Sequence, residues 1–239
     1  MHKFYVNDGA DNPNAYIAHG GGIHKYTYRN SLEAVEDSLQ KGFVFIELDL
    51  LVTADGHIVA AHDWEHFKSI TQYPDASSTP MTLAEVKAQK INGTDTPLSG
   101  ADIRELMQKN ENFFLVTDKI KDYSLLLNEI PFPERMIVEV FDPYDYLKAL
   151  LAGVRYPAYC LWEPKDYNTP LRFGLPLVTM SGCPFFDTPE HIDMVRALHA
   201  GGVTILLFIP PGDETAFLKA HLGRTVSKVY VDNNAPPVP

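Results

Sequence analysis

The chain has 239 residues, 45% of them hydrophobic and 21% charged, and a formal net charge of −11. That composition suits one large α/β core and excludes a disordered chain, and its acidity disfavours nucleic acid and anionic membrane surfaces as partners. No linker rich in Gly, Ser or Pro divides the chain, so residues 1–239 are read as one domain.

Cys160 and Cys183 are too few to mark a redox compartment. No apolar leader and no transmembrane segment is visible, which makes the cytoplasm the default location; a secretion signal already removed would leave the same sequence.

In chain order, the first expected strand is Ala15 to His19, running into Gly20-Gly21-Gly22, whose backbone N–H groups suit an anion or a sharp turn. Asn30 or Ser31 caps a helix with Leu32, Val35 and Leu39 on one face and Gly42 as its stop. The second strand starts at Phe43. Val44, Ile46, Leu48 and Leu50 alternate with Phe45, Glu47, Asp49 and Leu51, so Glu47 and Asp49 share a face.

Ala54-Asp55-Gly56 is a hairpin signal, followed by a return strand from His57 to His62. Folding about Asp55-Gly56 places His62 opposite Asp49. Two carboxylates and an imidazole then meet. A solvated ribbon would explain them, but its other face is too apolar; the pattern suits half of a divalent-metal site with an acid or base beside it.

A polar excursion follows from Glu65 to Thr96, with a Thr-capped helix in TPMTLAEVKAQ. Helices are expected at Ser99–Met107, Tyr123–Glu129, Tyr144–Ala152, Thr188–His199 and Glu214–Leu222. Without the hairpin's return arm, eight strands begin at Ala15, Phe43, Phe113, Met136, Ala158, Leu175, Val203 and Lys228. His19, Glu47, Asp49, Asp118, Glu139 and Glu163 fall at strand C-terminal ends. Polar groups gathered at those ends favour a (β/α)8 TIM barrel, with the hairpin over its C-terminal mouth, above an open doubly wound sheet.

AHGGG at 18–22, RNSLEA at 29–34, GFVFIELDLLVTADGHIVAAHD at 42–63 and FLVTDK at 114–119 together resemble the glycerophosphodiester phosphodiesterase and phosphatidylinositol phospholipase C-like superfamily. The resemblance implies His19 and His62 as acid and base, and Glu47 and Asp49, with Asp118 on a later strand, as ligands of Mg2+ or Ca2+. It implies a small phosphodiester substrate, a glycerophosphodiester or a lysophospholipid-type headgroup. Lys119, Gly20, Trp162 and Glu139 are the expected substrate contacts. Trp64, Phe67, Tyr26 and Tyr28 line the mouth or pack.

The chain departs from the family pattern in three places. Gly20 stands where an Arg is common, Arg29 where a metal-binding Glu is common, and Lys119 is one residue early, which on a regular strand turns it outward. The remaining set is similar to the sphingomyelinase D-like branch, which implies a lyase forming a cyclic phosphate as one alternative. A metal-independent site using Arg29 and a non-catalytic phosphodiester-binding barrel are the others.

Overall fold

The computed structural model describes residues 12–22, 29–161, 168–181, 189–208 and 220–231. Its strands are β1 (Tyr16–Ala18), β2 (Phe45–Val52), β3 (Ile58–Ala60), β4 (Phe114–Asp118), β5 (Met136–Val140), β6 (Tyr156–Leu161), β7 (Leu177–Ser181), β8 (Thr204–Phe208) and β9 (Lys228–Val231). Parallel pairing runs β1-β9-β8-β7-β6-β5-β4-β2 and returns from β2 to β1, where Ile17 pairs with Phe45. The eight parallel strands therefore close into a TIM barrel, with β3 antiparallel outside it.

The alternation read from β2 sorts its side chains as expected. Phe45 joins Ile17, Phe114, Val116 and Ile137 in the barrel interior, and Ile46, Leu48 and Leu50 pack outward against the helices. Near the N-terminal end the barrel is filled by rings: Phe45 and Phe114 lie with centroids 5.3 Å apart, and the buried Lys228 ammonium sits 4.3 Å above Phe45. Among the described residues, the inward carboxylates Glu47, Asp49, Asp118 and Glu139 lie towards the other end.

The helices are α1 (Leu32–Gln40), α2 (Trp64–Ile70), α3 (Leu83–Lys87), α4 (Gly100–Lys109), α5 (Tyr123–Glu129), α6 (Pro143–Ala152), α7 (Asn168–Phe173) and α8 (Pro189–Ala200). Ser31 caps α1, accepting from the Ala34 N–H, and capping boxes open α3 (Thr82 with Glu85) and α4 (Ser99 with Asp102). Two helices were not expected. The α2 start had a signal in Asp63, whose side chain accepts from the His66 N–H; α7 is short, with Pro170 inside it and no periodic apolar run. The helix expected at Glu214–Leu222 falls largely outside the described residues.

The excursion builds a small core of its own. Trp64, Phe67, Met81, Val86 and Ile91 pack against Val59 and Ala61 of the hairpin, so Trp64 and Phe67 take the packing role. Lys68, 2% exposed, reaches Asp75 at 2.8 Å and ties down the following loop. Among the described residues, no helix is long and apolar enough to cross a membrane.

The hairpin differs from expectation by one residue. Leu50 pairs with Ala60 and Val52 with Ile58, and the Thr53 N–H donates to the His57 carbonyl, which closes a three-residue turn with Gly56 at φ 81°. Asp49 consequently faces Ala61, whose N–H donates to the Asp49 carbonyl at 2.9 Å. His62 comes one step later, beyond the end of β3.

Candidate active site

Adjacent strands bring the carboxylates together. Glu47 and Asp49 point inward from β2, and Asp49 is in register with Asp118 on β4. The three side chains offer oxygen atoms that all lie within 4.8 Å of one another. They open into a cavity of about 320 Å³ that His19, His62, Lys119 and Glu139 also line. The site thus gathers seven of the expected side chains at the C-terminal mouth. Trp162, Glu163, Tyr26 and Tyr28 lie outside the described residues.

Each carboxylate is held differently. The Gly20 N–H donates to Glu47 Oε2 at 2.7 Å, and the Gly20 backbone has φ 58°. Gly20 is thus buried against Glu47, with its N–H committed to that carboxylate. Asn30 Nδ2 donates to Asp49 Oδ2 at 2.9 Å, and Lys119 Nζ sits 2.7 Å from Asp49 Oδ1. Asp118 Oδ1 is buried and accepts no hydrogen bond.

These surroundings separate the acidities. Burial pushes Glu47 well above the usual carboxylate range, and the charges of Asp49 and Asp118 add to it. Asp118 is pushed up to about 8 by burial and then by Asp49 and Glu139. Burial acts on Asp49 too, but the Lys119 ammonium and the bonds from Lys119 and Asn30 outweigh it and hold the group below its ordinary value. Three carboxylates at this spacing cannot all be charged without a cation among them.

Lys119 does not point outward. β4 ends at Asp118 and Lys119 has φ 61°, a left-handed backbone that swings its ammonium back to Asp49 and to the His62 carbonyl, 2.6 Å away. Arg29 instead forms a buried ion pair with Asp95 of the excursion, and among the described residues the cation beside the carboxylates is Lys119.

The two histidines approach from separate elements. His19 opens the turn after β1, with Nε2 3.8 Å from Glu47 Oε2 and its ring edge-on to Phe208, centroids 5.0 Å apart. His62 Nδ1 lies 2.6 Å from Asp63 Oδ2. Asp63 thereby orients His62 and caps α2 at once. Burial opposes ionisation of Asp63, but the His66 N–H and His62 outweigh it and keep the group below its ordinary value. An ionised Asp63 selects the tautomer protonated on Nδ1 and leaves Nε2 as the basic nitrogen.

The opposite wall carries groups that sequence reasoning did not pick out. Tyr230 donates a short hydrogen bond to Glu139 Oε1, and Thr179 Oγ1 donates to Oε2 at 3.4 Å. Burial raises Glu139 to about 7, although both bonds work the other way. Tyr230 sits at an inward position on β9, which would have identified it once the barrel was assumed.

The model of the glycerophosphoryl diester phosphodiesterase family matches residues 19–156. No curated protein matches the chain. Solved structures similar to it include a glycerophosphodiester phosphodiesterase from Thermotoga maritima (18% identity, covering 91% of this chain and 93% of that one, TM-score 0.70). A glycerophosphoryl diester phosphodiesterase from Parabacteroides distasonis has 18% identity, covers 99% of this chain and 88% of its own, and has a TM-score of 0.69. An Oleispira antarctica phosphodiesterase, solved in complex with the product sn-glycerol-3-phosphate, has 16% identity, 92% and 93% coverage, and a TM-score of 0.69.

Proposed function

The chain belongs to the glycerophosphoryl diester phosphodiesterase family, and from that premise we propose that it hydrolyses a small glycerophosphodiester with a divalent cation, Mg2+ or Ca2+, held by Glu47, Asp49 and Asp118. The observation that carries this reading is the meeting of three carboxylates, with oxygen atoms within 4.8 Å of one another, in a cavity also lined by two histidines. Their donor set fits a hard cation, and the buried, unpartnered Asp118 Oδ1 is an oxygen that such an ion would satisfy. When bound, the cation supplies charge neutralisation at the phosphoryl oxygens.

The chain's own groups move the protons. His62, with Nδ1–H on Asp63, takes a proton at Nε2 from the attacking water, and the Asp63 carboxylate stabilises the imidazolium that results. His19 gives a proton to the departing alkoxide. Phe208 and Tyr230 pack against the His19 ring and limit its freedom. Glu139, oriented by Tyr230 and Thr179, is placed to bind substrate hydroxyls, which suits glycerol. The sn-glycerol-3-phosphate named in the Oleispira structure supports a substrate of that size, as does a cavity of about 320 Å³.

Phosphorus NMR of glycerophosphocholine, glycerophosphoethanolamine, glycerophosphoinositol and lysophosphatidylcholine in Mg2+ buffer tests the proposal. A phosphomonoester formed directly is the expected product. A cyclic phosphate would mean that a substrate hydroxyl attacks in place of water, and silence across the panel would contradict turnover of this substrate class.

A further inference from the structure

Asp49 has both oxygens engaged, Oδ2 by Asn30 and Oδ1 by the Lys119 ammonium. Lys119 holds this position through a backbone at φ 61°, uncommon for a residue with a side chain, and its Nζ also donates to the His62 carbonyl. A cation placed among Glu47, Asp49 and Asp118 would share Asp49 with that ammonium. A dication and one ammonium together match the charge of three carboxylates, whereas a dication alone leaves one negative charge in excess.

We infer that Lys119 is a built-in counter-cation of the carboxylate cluster: it weakens the hold on the divalent cation and leaves the loaded cluster of Glu47, Asp49 and Asp118 without excess negative charge, so that an anionic phosphodiester is admitted. This rests on the cation reading given above. Repulsion between the ammonium and the dication lowers metal affinity, and the same positive charge favours the anion. The two effects of removing Lys119 therefore have opposite signs. A lysine that only braced the β4 end would, when removed, loosen both ligands together.

Calorimetric titration with Mg2+ alone, and then with sn-glycerol 3-phosphate in saturating Mg2+, separates these cases. For Lys119→Met the Mg2+ dissociation constant should fall roughly tenfold and that of sn-glycerol 3-phosphate rise roughly tenfold. Lys119→Gln keeps a donor for the His62 carbonyl without the charge, and should show the same pair of shifts. Lys119→Arg should stay near the wild type in both. Two constants that weaken together, or that do not move, would overturn the inference while leaving the cation reading intact. A wild-type chain that binds no Mg2+ would overturn both.

Discussion

Asn30 and Asp49 are joined twice: Asn30 Nδ2 donates to Asp49 Oδ2 at 2.9 Å, and the Asp49 N–H donates to Asn30 Oδ1 at 3.0 Å. The Asn30 N–H also donates to the Gly20 carbonyl, and its φ is 45°. One residue thus links the loop after β1 to the carboxylate of β2. Asn tolerates this left-handed backbone better than most side chains.

Asn30→Ala removes both side-chain bonds and puts a less tolerant residue at positive φ, so a loss of about 1–3 kcal/mol in stability is expected. Asn30→Gly relieves the backbone and isolates the lost bonds. Urea denaturation of both variants checks this, with Ala the less stable of the two. A weaker Mg2+ titration should accompany each, because Asp49 is no longer oriented.

The acidity of the site sets the stability of the cation-free protein. Asp118 is raised to about 8 and Glu139 to about 7, so between pH 5 and 8 the folded state holds protons that the unfolded state has lost. Stability from these groups is present at low pH and is lost as pH rises through the folded values. In chelator, the melting temperature should fall by roughly 5 °C from pH 5.5 to 8. Asp118→Asn should flatten that slope, and Mg2+ should restore stability at pH 8; a melting temperature rising with pH in chelator would be the opposite result.

His62 depends on Asp63 for its tautomer. His62→Ala is expected to lower kcat by about 10²–10⁴, with His19→Ala similar. Asp63→Asn should lower it less and alter the pH–rate profile, since the amide neither fixes the tautomer nor stabilises the imidazolium. It should also destabilise α2, where Asp63 is the cap, by about 1 kcal/mol. Rate profiles and unfolding curves on the same samples separate the two effects.

Gly22 seats α1 against the loop that carries His19. A Cβ there would lie 2.9 Å from the Ala34 carbonyl oxygen and inside the Ser38 hydroxyl, and its φ is 148°. Gly22→Ala should therefore cost about 2–4 kcal/mol and lower activity by shifting His19. Thermal unfolding and turnover should fall together.

The barrel was legible because β2 shows a clean two-residue alternation and because polar residues end several strands. Glu47 and Asp49 were placed on one face by strand periodicity, and Asp118 was placed as the end of a later strand. The position opposite Asp49 was missed by one residue because the turn closes at Thr53 and His57, a choice set by turn geometry. Lys119 was expected to face outward from a continued strand, and one left-handed residue reversed it. Asn30 looked like a helix cap, and its bonds to Asp49 depend on a contact between residues 19 apart. The Tyr230–Glu139 bond joins residues 91 apart and becomes visible only when the barrel closes.

Turnover of glycerophosphocholine before and after chelation, in the wild type and in Glu47→Gln, decides whether a cation held by these carboxylates is needed for cleavage. A loss of at least about 10²-fold in chelator is expected, with recovery on adding Mg2+ and no recovery for Glu47→Gln at the same Mg2+ concentration. Wild-type turnover that survives chelation, with Glu47→Gln equally active, would contradict it.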